Sequence, residues 1–153
     1  MKVIASDHSA WLSVLRRYIV LIALGNLAWE FAHMLLYTLW ETGTAGEIVF
    51  AAIHCTGGDI LIALSALMIA LCLAGTWRWP ESGYLRVAAM TIAVGLFYTV
   101  FSEWLNIEVR RAWAYRDVMP IIPVIGVGLS PFMQWIVLPG LAFWLANPHR
   151  VRR

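Results

Sequence analysis

Charged residues are scarce in this chain: they make up 13% of its 153 residues, and lysine occurs only once, as Lys2. The scarcity excludes the basic stripe or patch on which nucleic-acid binding depends, so no nucleic-acid partner is expected. The lone lysine also excludes Schiff-base chemistry of the retinal type. Only two cysteines occur, Cys55 and Cys72, and both fall in one apolar run. They would lie roughly 25 Å apart on a straight helix, too far for a disulfide.

Apolar residues, in contrast, are abundant. They make up 61% of the chain, whereas a soluble domain has about half. Four apolar runs exceed the roughly twenty residues needed to cross a bilayer: residues 15–40, 47–74, 84–106 and 119–146. Short connectors predict an all-α integral membrane protein, a single four-helix antiparallel bundle over residues 1–153. No cleavage pattern of a signal peptide follows the first run, so it is expected to remain as a span.

The fourth run is rich in residues that break helices, among them Pro131, Pro139, Gly126 and Gly128. These residues predict a helix kinked near Pro131, with an unwound segment at residues 126–130. Residues 107–118 are too polar to cross a membrane. They predict either a short helix lying on the membrane surface between the third and fourth spans or a plain connecting loop.

Basic residues predict the orientation of the spans. One side of the membrane receives Lys2, Arg16, Arg17, Arg78, Arg86, Arg150, Arg152 and Arg153, and the other receives Arg110, Arg111 and Arg116. The larger group is expected on the cytoplasmic side, which places both termini in the cytoplasm, in a bacterial inner membrane. The lipid bilayer is then the obligatory partner. A homo-oligomer and a larger membrane assembly both stay open.

Five ionisable residues lie within or at the ends of the apolar runs: Glu30, His33, His54, Asp59 and Glu103. A charge inside a membrane span is costly, so such residues usually mark a function. The predicted orientation brings all five into the outer half of the membrane, from three different spans. Asp59 lies deepest and is the strongest candidate. Glu103 and Asn106 are also compatible with a place among the lipid headgroups, and the histidines with a role in helix register.

These residues predict a small intramembrane enzyme that acts on a lipid-like substrate. Carboxyl groups held in an apolar site can donate protons near neutral pH, so the catalytic candidates are Asp59, Glu30, Glu103, His33 and His54. The chemistry would be that of an isomerase, a cyclase or a metal-dependent enzyme. Further side chains are predicted to bind the substrate: Asn26, Asn106, Trp29, Trp104, Trp113, Tyr115 and Gln134.

A metal site is the second hypothesis, because Glu30-Phe-Ala-His33 has the Glu-x-x-His spacing of carboxylate di-iron bundles. The set is incomplete for two irons, since Asn106 stands where a second histidine is needed. One divalent ion held by His33, His54, Glu30 and Asp59 remains open, and a haem between the two histidines is less favoured. The alternative to an enzyme is a non-enzymatic subunit that binds a metal, haem or lipid within a larger assembly.

Overall fold

The computed structural model describes the backbone of residues 3–148 and the side chains of residues 10–148. Four of the basic residues behind the orientation prediction, Lys2, Arg150, Arg152 and Arg153, lie outside the described residues. The described chain is all-helical, with two isolated β-bridges and no strand over residues 3–148.

Residues 3–148 form five α-helices, two of which are extended by a turn of another helix type. They are α1 (Val3–His33) with a 3₁₀ turn (Met34–Leu36), α2 (Leu39–Thr42), α3 (Ala45–Ala74), α4 (Tyr84–Trp104) with a π turn (Leu105–Val109), and α5 (Leu129–Ala146). Within the described residues, four segments are long and apolar enough to cross a membrane: Ala10–Leu36, Ala45–Ala74, Tyr84–Val109 and Leu129–Ala146. This confirms the predicted class, a helical bundle with four candidate membrane spans.

The outward faces of these helices carry large apolar side chains, among them Leu24, Leu61, Leu73, Leu85 and Phe97. Such a surface is unsuited to water and suited to lipid. The helix contacts, in contrast, use small side chains: Ala63, Ala66 and Ala70 of α3 are almost fully buried. Small residues let membrane helices approach closely, because lipid offers no hydrophobic drive for association.

Local sequence explains where α3 and α4 begin. Thr44 accepts a hydrogen bond from the Glu47 backbone N–H, and the Glu47 carboxylate accepts one from the Thr44 backbone N–H. This capping box satisfies two N–H groups that the first helical turn leaves unpaired, and it begins α3 at Ala45. Gly83, which precedes α4, has a φ of +79°, a conformation that glycine adopts without strain.

The four long helices form a ring in which α1 and α4 each pack against α3 and α5. One end of the bundle is an apolar core, where Tyr18 and Tyr84 pack against Phe143 of α5. Near the middle, Trp135 of α5 lies directly over Gly95 of α4, where a Cβ would come within 2.3 Å of the indole ring. Polar side chains collect at the other end.

The fourth span begins later than the sequence pattern suggests. Residues 119–128 form a tight turn in which Ile121 and Gly128 make a β-bridge, and α5 begins only at Leu129. Pro131 lies in the first helical turn, where the missing N–H has no carbonyl to bond. A kink at Pro131 is therefore not confirmed, although Pro139 does lie inside α5.

The segment between α4 and α5 contains no helix over residues 110–128, so a surface helix there is not confirmed. Instead it runs beside the end of α1, where Thr38 N–H bonds to the Ala114 carbonyl at 3.0 Å. Tyr37 and Tyr115 form a β-bridge, and the Arg116 guanidinium lies 2.5 Å from the Glu41 carboxylate. The segment thus covers the polar end of the bundle. We call residues 110–118 the cover loop.

Candidate functional site

The polar end of the bundle contains a cavity of about 580 Å³, a volume typical of small-molecule sites. Its apolar wall includes Phe50, Ile62, Tyr98 and Trp135. Its polar wall includes Glu30, His33, Asp59, Glu103, Asn106 and Gln134. Side chains of all four long helices therefore meet around one space, as the sequence predicts for three of the helices.

A chain of hydrogen bonds orients His33. Trp29 Nε1 lies 3.2 Å from Ser130 Oγ, which lies 3.2 Å from His33 Nδ1, and His33 Nε2 lies 3.1 Å from the Glu30 carboxylate. An indole N–H can only donate, so the Ser130 hydroxyl accepts from Trp29 and is free to donate to Nδ1. In this arrangement Nδ1 accepts from Ser130 and Nε2 donates to the Glu30 carboxylate. Both nitrogens of His33 are thus engaged.

Gln134 joins three helices through one amide group. Its Nε2 lies 2.8 Å from Asn26 Oδ1, 3.1 Å from Glu30 Oε1 and 3.1 Å from Asp59 Oδ2. An amide NH₂ group has two hydrogens and here faces three acceptor oxygens, so two of these oxygens must share one hydrogen. The carboxyl groups of Glu30 and Asp59 are also within hydrogen-bonding reach of each other. A hydrogen bond between two carboxyl groups requires a proton on one of them.

Glu103 of α4 is buried below the cover loop. One of its oxygens accepts hydrogen bonds from two phenols, Tyr37 at 3.4 Å and Tyr115 at shorter range. The Tyr115 hydroxyl in turn accepts the Gly128 backbone N–H at 2.9 Å. Glu103 thus faces the cavity and also accepts hydrogen bonds from other side chains of the protein.

Both phenols lie outside the membrane-spanning segments, and their ionisation is suppressed. Burial, reinforced by the neighbouring Glu103 carboxylate, raises the pKa of Tyr115 and of Tyr37 well above the ordinary tyrosine value. Both hydroxyls therefore remain protonated and continue to donate to Glu103 at any physiological pH.

The predicted site residues occupy three kinds of position. Glu30, His33, Asp59, Glu103, Asn106, Trp113 and Gln134 line the cavity, whereas Asn26 and Tyr115 hydrogen-bond lining residues, and Trp29 reaches the lining residue His33 only through Ser130. His54 also lines the cavity, but its exposed ring stacks on Phe50 at 5.6 Å. Trp104 is half exposed and packs against Phe101 on the outer surface. Trp104 thus lies outside the cavity lining, whereas His54 shares the cavity with the carboxyl groups but makes its ring contact with Phe50.

The metal hypothesis finds little support in this geometry. Among the side chains of residues 10–148, no group of three or more His, Cys, Asp or Glu residues is placed to hold a metal ion. His33 has no free nitrogen for a ligand, because Ser130 and Glu30 occupy both. The same engagement counts against a haem between His33 and His54.

Three further polar residues belong to the site. Ser130 links Trp29 to His33, Tyr37 bonds Glu103, and Thr99 lines the cavity. Sequence signals existed for all three: Tyr37 continues the Asn26, Glu30 and His33 stripe, Thr99 lies one turn before Glu103, and Ser130 lies one turn before Gln134. Their contacts, however, depend on the pairing of distant helices.

Comparison with known proteins adds no assignment: no protein family, characterised protein or solved structure matches this chain. The function is therefore argued from the cavity and its polar groups.

Proposed function

We propose that this protein is a membrane-embedded enzyme that transfers protons to and from a lipid-like substrate bound in the cavity. The observation that carries the proposal is the meeting of three carboxyl groups, Glu30, Asp59 and Glu103, from three helices around one space. Buried carboxyl groups are costly in a membrane. Simple helix association would need far fewer of them.

The contacts suggest a role for each group. Glu30 and Asp59 would share one proton, because their carboxyl groups lie within hydrogen-bonding reach of each other. Both line the cavity, and Asp59 is the less buried of the two. Asp59 would donate this proton to one carbon of a C=C bond in the substrate, and Glu103 would accept a proton from the allylic carbon on the other side of that bond, so the double bond moves by one position. Proton exchange with water at the cavity opening would then remove the proton from Glu103 and return one to the Glu30–Asp59 pair. One C–H bond forms and another breaks, so the product is an isomer and the enzyme needs no oxidant. Gln134 and His33 would hold Glu30 in position throughout.

A serine nucleophile is less favoured by the contacts. The Ser130 hydroxyl lies against His33, but it also accepts the Trp29 indole N–H. That bond reduces the basicity of the oxygen, and it fits a role in orienting His33.

We further infer that the four spans alternate in direction, with both termini in the cytoplasm of a bacterium and the spans in its inner membrane. The balance of arginines supports this orientation: Arg16, Arg17, Arg78 and Arg86 lie towards one end of the bundle, and Arg110, Arg111 and Arg116 towards the other. The cavity would then open to the outer leaflet.

A lipid-binding subunit without catalytic activity is the second candidate. It is favoured by the size of the cavity and by the apolar wall of Phe50, Ile62 and Tyr98. Such a protein would hold its ligand without exchanging any carbon-bound hydrogen.

Deuterium incorporation tests the enzyme proposal without knowledge of the substrate. Protein in lipid nanodiscs would be incubated in D₂O with a membrane lipid extract, returned to H₂O, and the lipids analysed by mass spectrometry. Deuterium bound to oxygen exchanges for hydrogen in H₂O, whereas deuterium bound to carbon is retained. We expect a lipid class that gains deuterium with the wild type and gains it at least about 100-fold more slowly with Asp59→Asn, since general acid catalysis contributes factors of this size.

Two matched controls sharpen the experiment. Glu108→Gln alters an exposed carboxylate at the end of α4 and should leave incorporation unchanged. A Cβ at Gly57 or Gly58 would meet no atom within 4 Å, but only Gly58 lines the cavity. Gly58→Leu should therefore block incorporation by filling the cavity, and Gly57→Leu should not.

The outcomes separate the two candidates. Wild-type incorporation that persists in Asp59→Asn would contradict the enzyme proposal. A wild type that incorporates no deuterium, but copurifies with a lipid that Gly58→Leu excludes, would identify a binding protein.

A further inference from the structure

Three threonines are buried within the long helices: Thr56, Thr91 and Thr99. In two of them the hydroxyl donates to the carbonyl one turn earlier, Thr56 to Ala52 at 2.7 Å and Thr91 to Val87 at 2.8 Å. This bond is the usual solution for a threonine in a membrane helix, because it leaves no polar atom unpaired. Within residues 10–148, the Thr99 hydroxyl has no hydrogen-bond partner, although the side chain is only 6% exposed.

Thr99 lies where a ligand would reach it. It lines the cavity one helical turn beyond Glu103, and one turn further lies Gly95, which is covered by Trp135. Trp135 therefore closes the cavity just below Thr99. A buried hydroxyl without a partner is costly, and a bound ligand is what would satisfy it at this depth.

A second donor lies nearer the mouth. The Trp113 indole nitrogen is buried beside the Glu103 carboxyl and forms no hydrogen bond of normal geometry with the described residues. Trp113 also lines the cavity. An indole N–H can only donate, and the Glu103 carboxyl is the acceptor beside it, so Trp113 offers an ammonium ligand no acceptor. A carboxylate beside Thr99 is disfavoured in turn, because Glu103 lies one helical turn away, while Arg110, which also lines the cavity, already donates to Asn106 at 3.4 Å.

We propose that Thr99 is a binding residue for an uncharged oxygen, a hydroxyl or a carbonyl, on an amphiphile whose apolar chain lies along Phe50, Ile62 and Tyr98. The inference rests on the proposed function and names its substrate class. The oxygen would lie deep, against Thr99, and the carbons beside it would lie within reach of the carboxyl groups. Thr99 would bind the substrate and would not take part in proton transfer.

Binding measurements test this inference without any turnover. Protein in nanodiscs would be titrated with tritiated farnesol and with tritiated dodecanol, with empty nanodiscs as background. Unlabelled farnesylamine and the hydrocarbon farnesene would serve as competitors. We expect Thr99→Val to weaken binding of the alcohols by about five- to tenfold, the effect of one hydrogen bond. The affinity of farnesene, measured by its competition with a labelled alcohol, should be equal in Thr99→Val and the wild type, because farnesene has no oxygen.

The chain offers a matched control on the same helix. Thr91→Val makes the same substitution two turns away, at a hydroxyl already bonded to Val87, and it should leave farnesol binding unchanged. Thr99→Ser retains the hydroxyl and should bind farnesol within about twofold of the wild type. This variant also guards against a loss that reflects misfolding of Thr99→Val.

Three results would overturn the assignment: farnesol binding that is equal in Thr99→Val and wild type, farnesylamine that competes better than unlabelled farnesol, and no binding of either alcohol above background. None of them depends on catalysis. A protein that binds farnesol through Thr99 but incorporates no deuterium would keep the binding site and lose the proposed enzyme.

Discussion

Tyr115 joins three parts of the chain through a single hydroxyl group. The phenol donates to Glu103 of α4, accepts the Gly128 N–H at the start of α5, and belongs to the cover loop that pairs with Tyr37. Because the phenol is buried beside a carboxylate, its pKa is raised. A residue outside the spans thus secures a carboxyl group inside them.

Because the pKa of Tyr115 and of Tyr37 is raised, the stability of the folded protein falls as pH rises through the alkaline range. Unfolded tyrosine ionises near pH 10, while Tyr115 and Tyr37 in the folded protein remain protonated. The unfolded state therefore binds fewer protons above about pH 10, and the stability contributed by these phenols falls as pH rises. Tyr115→Phe should make this fall shallower by about 1.4 kcal/mol per pH unit, measured by unfolding in detergent from about pH 9 to 11.

Tyr37→Phe, which removes the other buried phenol, should change the slope in the same direction. At neutral pH, Tyr115→Phe should cost about 1–3 kcal/mol, because Glu103 loses a donor and Gly128 N–H loses its acceptor. Alkaline slopes that coincide in wild type and Tyr115→Phe would show that this phenol ionises normally.

The sequence predicts some residues of the site better than others. Glu30, Asp59 and Gln134 stand out because a polar side chain in an apolar run needs a partner. His54 also stands out, yet it stacks on Phe50. Residues 54 and 59 differ by about 140° around a helix, so the separation of His54 from Asp59 agrees with their spacing. Which of the two would face Glu30 depends on the rotation of α3 in the bundle.

At the scale of helices, α4 presents one polar face that ends at a tight contact. Asn106, Glu103, Thr99 and Gly95 follow one another at spacings of three and four residues, and the face passes from the cover loop to Trp135. The glycine permits the indole to lie against the α4 backbone. This contact sets the distance between α4 and α5 and closes the cavity.

Gly95→Ala tests this contact. The added Cβ would lie 2.3 Å from Trp135 Cε3, so the indole or the helix must move. We expect a loss of about 1–3 kcal/mol, as for other overpacked cores, measured by unfolding in detergent.

Gly140→Ala is the matched control, because a Cβ there meets no atom within 4 Å. It should leave stability unchanged or raise it slightly, since alanine favours helix. A Gly95→Ala variant as stable as Gly140→Ala would mean that Trp135 can move away at little cost.

The predicted and observed helices differ mainly in where they begin and end. The hydrophobic runs locate all four helices, but the fourth begins at Leu129 and not near Met119. Hydropathy cannot make this distinction, because the turn at residues 119–128 is itself apolar, with Val124 fully exposed at its tip. Pro120, Pro123 and Gly126 indicated broken backbone. The β-bridge between Ile121 and Gly128 gives that backbone its form.

At the scale of the whole molecule, the two connecting segments at the cavity end are tied together, whereas the α3–α4 connector lies at the apolar end. Thr38 bonds to Ala114, and Arg116 reaches both the Leu35 carbonyl at 2.6 Å and Glu41. The cover loop therefore moves with the end of α1. The arginine balance predicts that this end faces away from the cytoplasm.

Cysteine labelling tests the orientation. In a background with Cys55→Ala and Cys72→Ala, single cysteines would replace two exposed residues, Ser82 in the α3–α4 connector or Asp117 in the cover loop. A membrane-impermeant maleimide should label Asp117→Cys in intact spheroplasts and Ser82→Cys only after lysis. The reverse pattern would place the termini outside and the cavity opening in the inner leaflet.

The long-range contacts of α5 have a consequence for biosynthesis. Glu30 bonds to Gln134, which is 104 residues later in the chain, and His33 bonds to Ser130, 97 residues later. During translation the first span enters the membrane before either partner has been made, so its insertion must rely on the apolar residues around Glu30 and His33. A nascent chain that stops before Leu129 would lack the Gln134 amide that donates to Glu30 and Asp59, and the Ser130 hydroxyl that contacts His33. We expect such a chain to be recognised by membrane proteases, so the last helix protects the protein as well as completing its site.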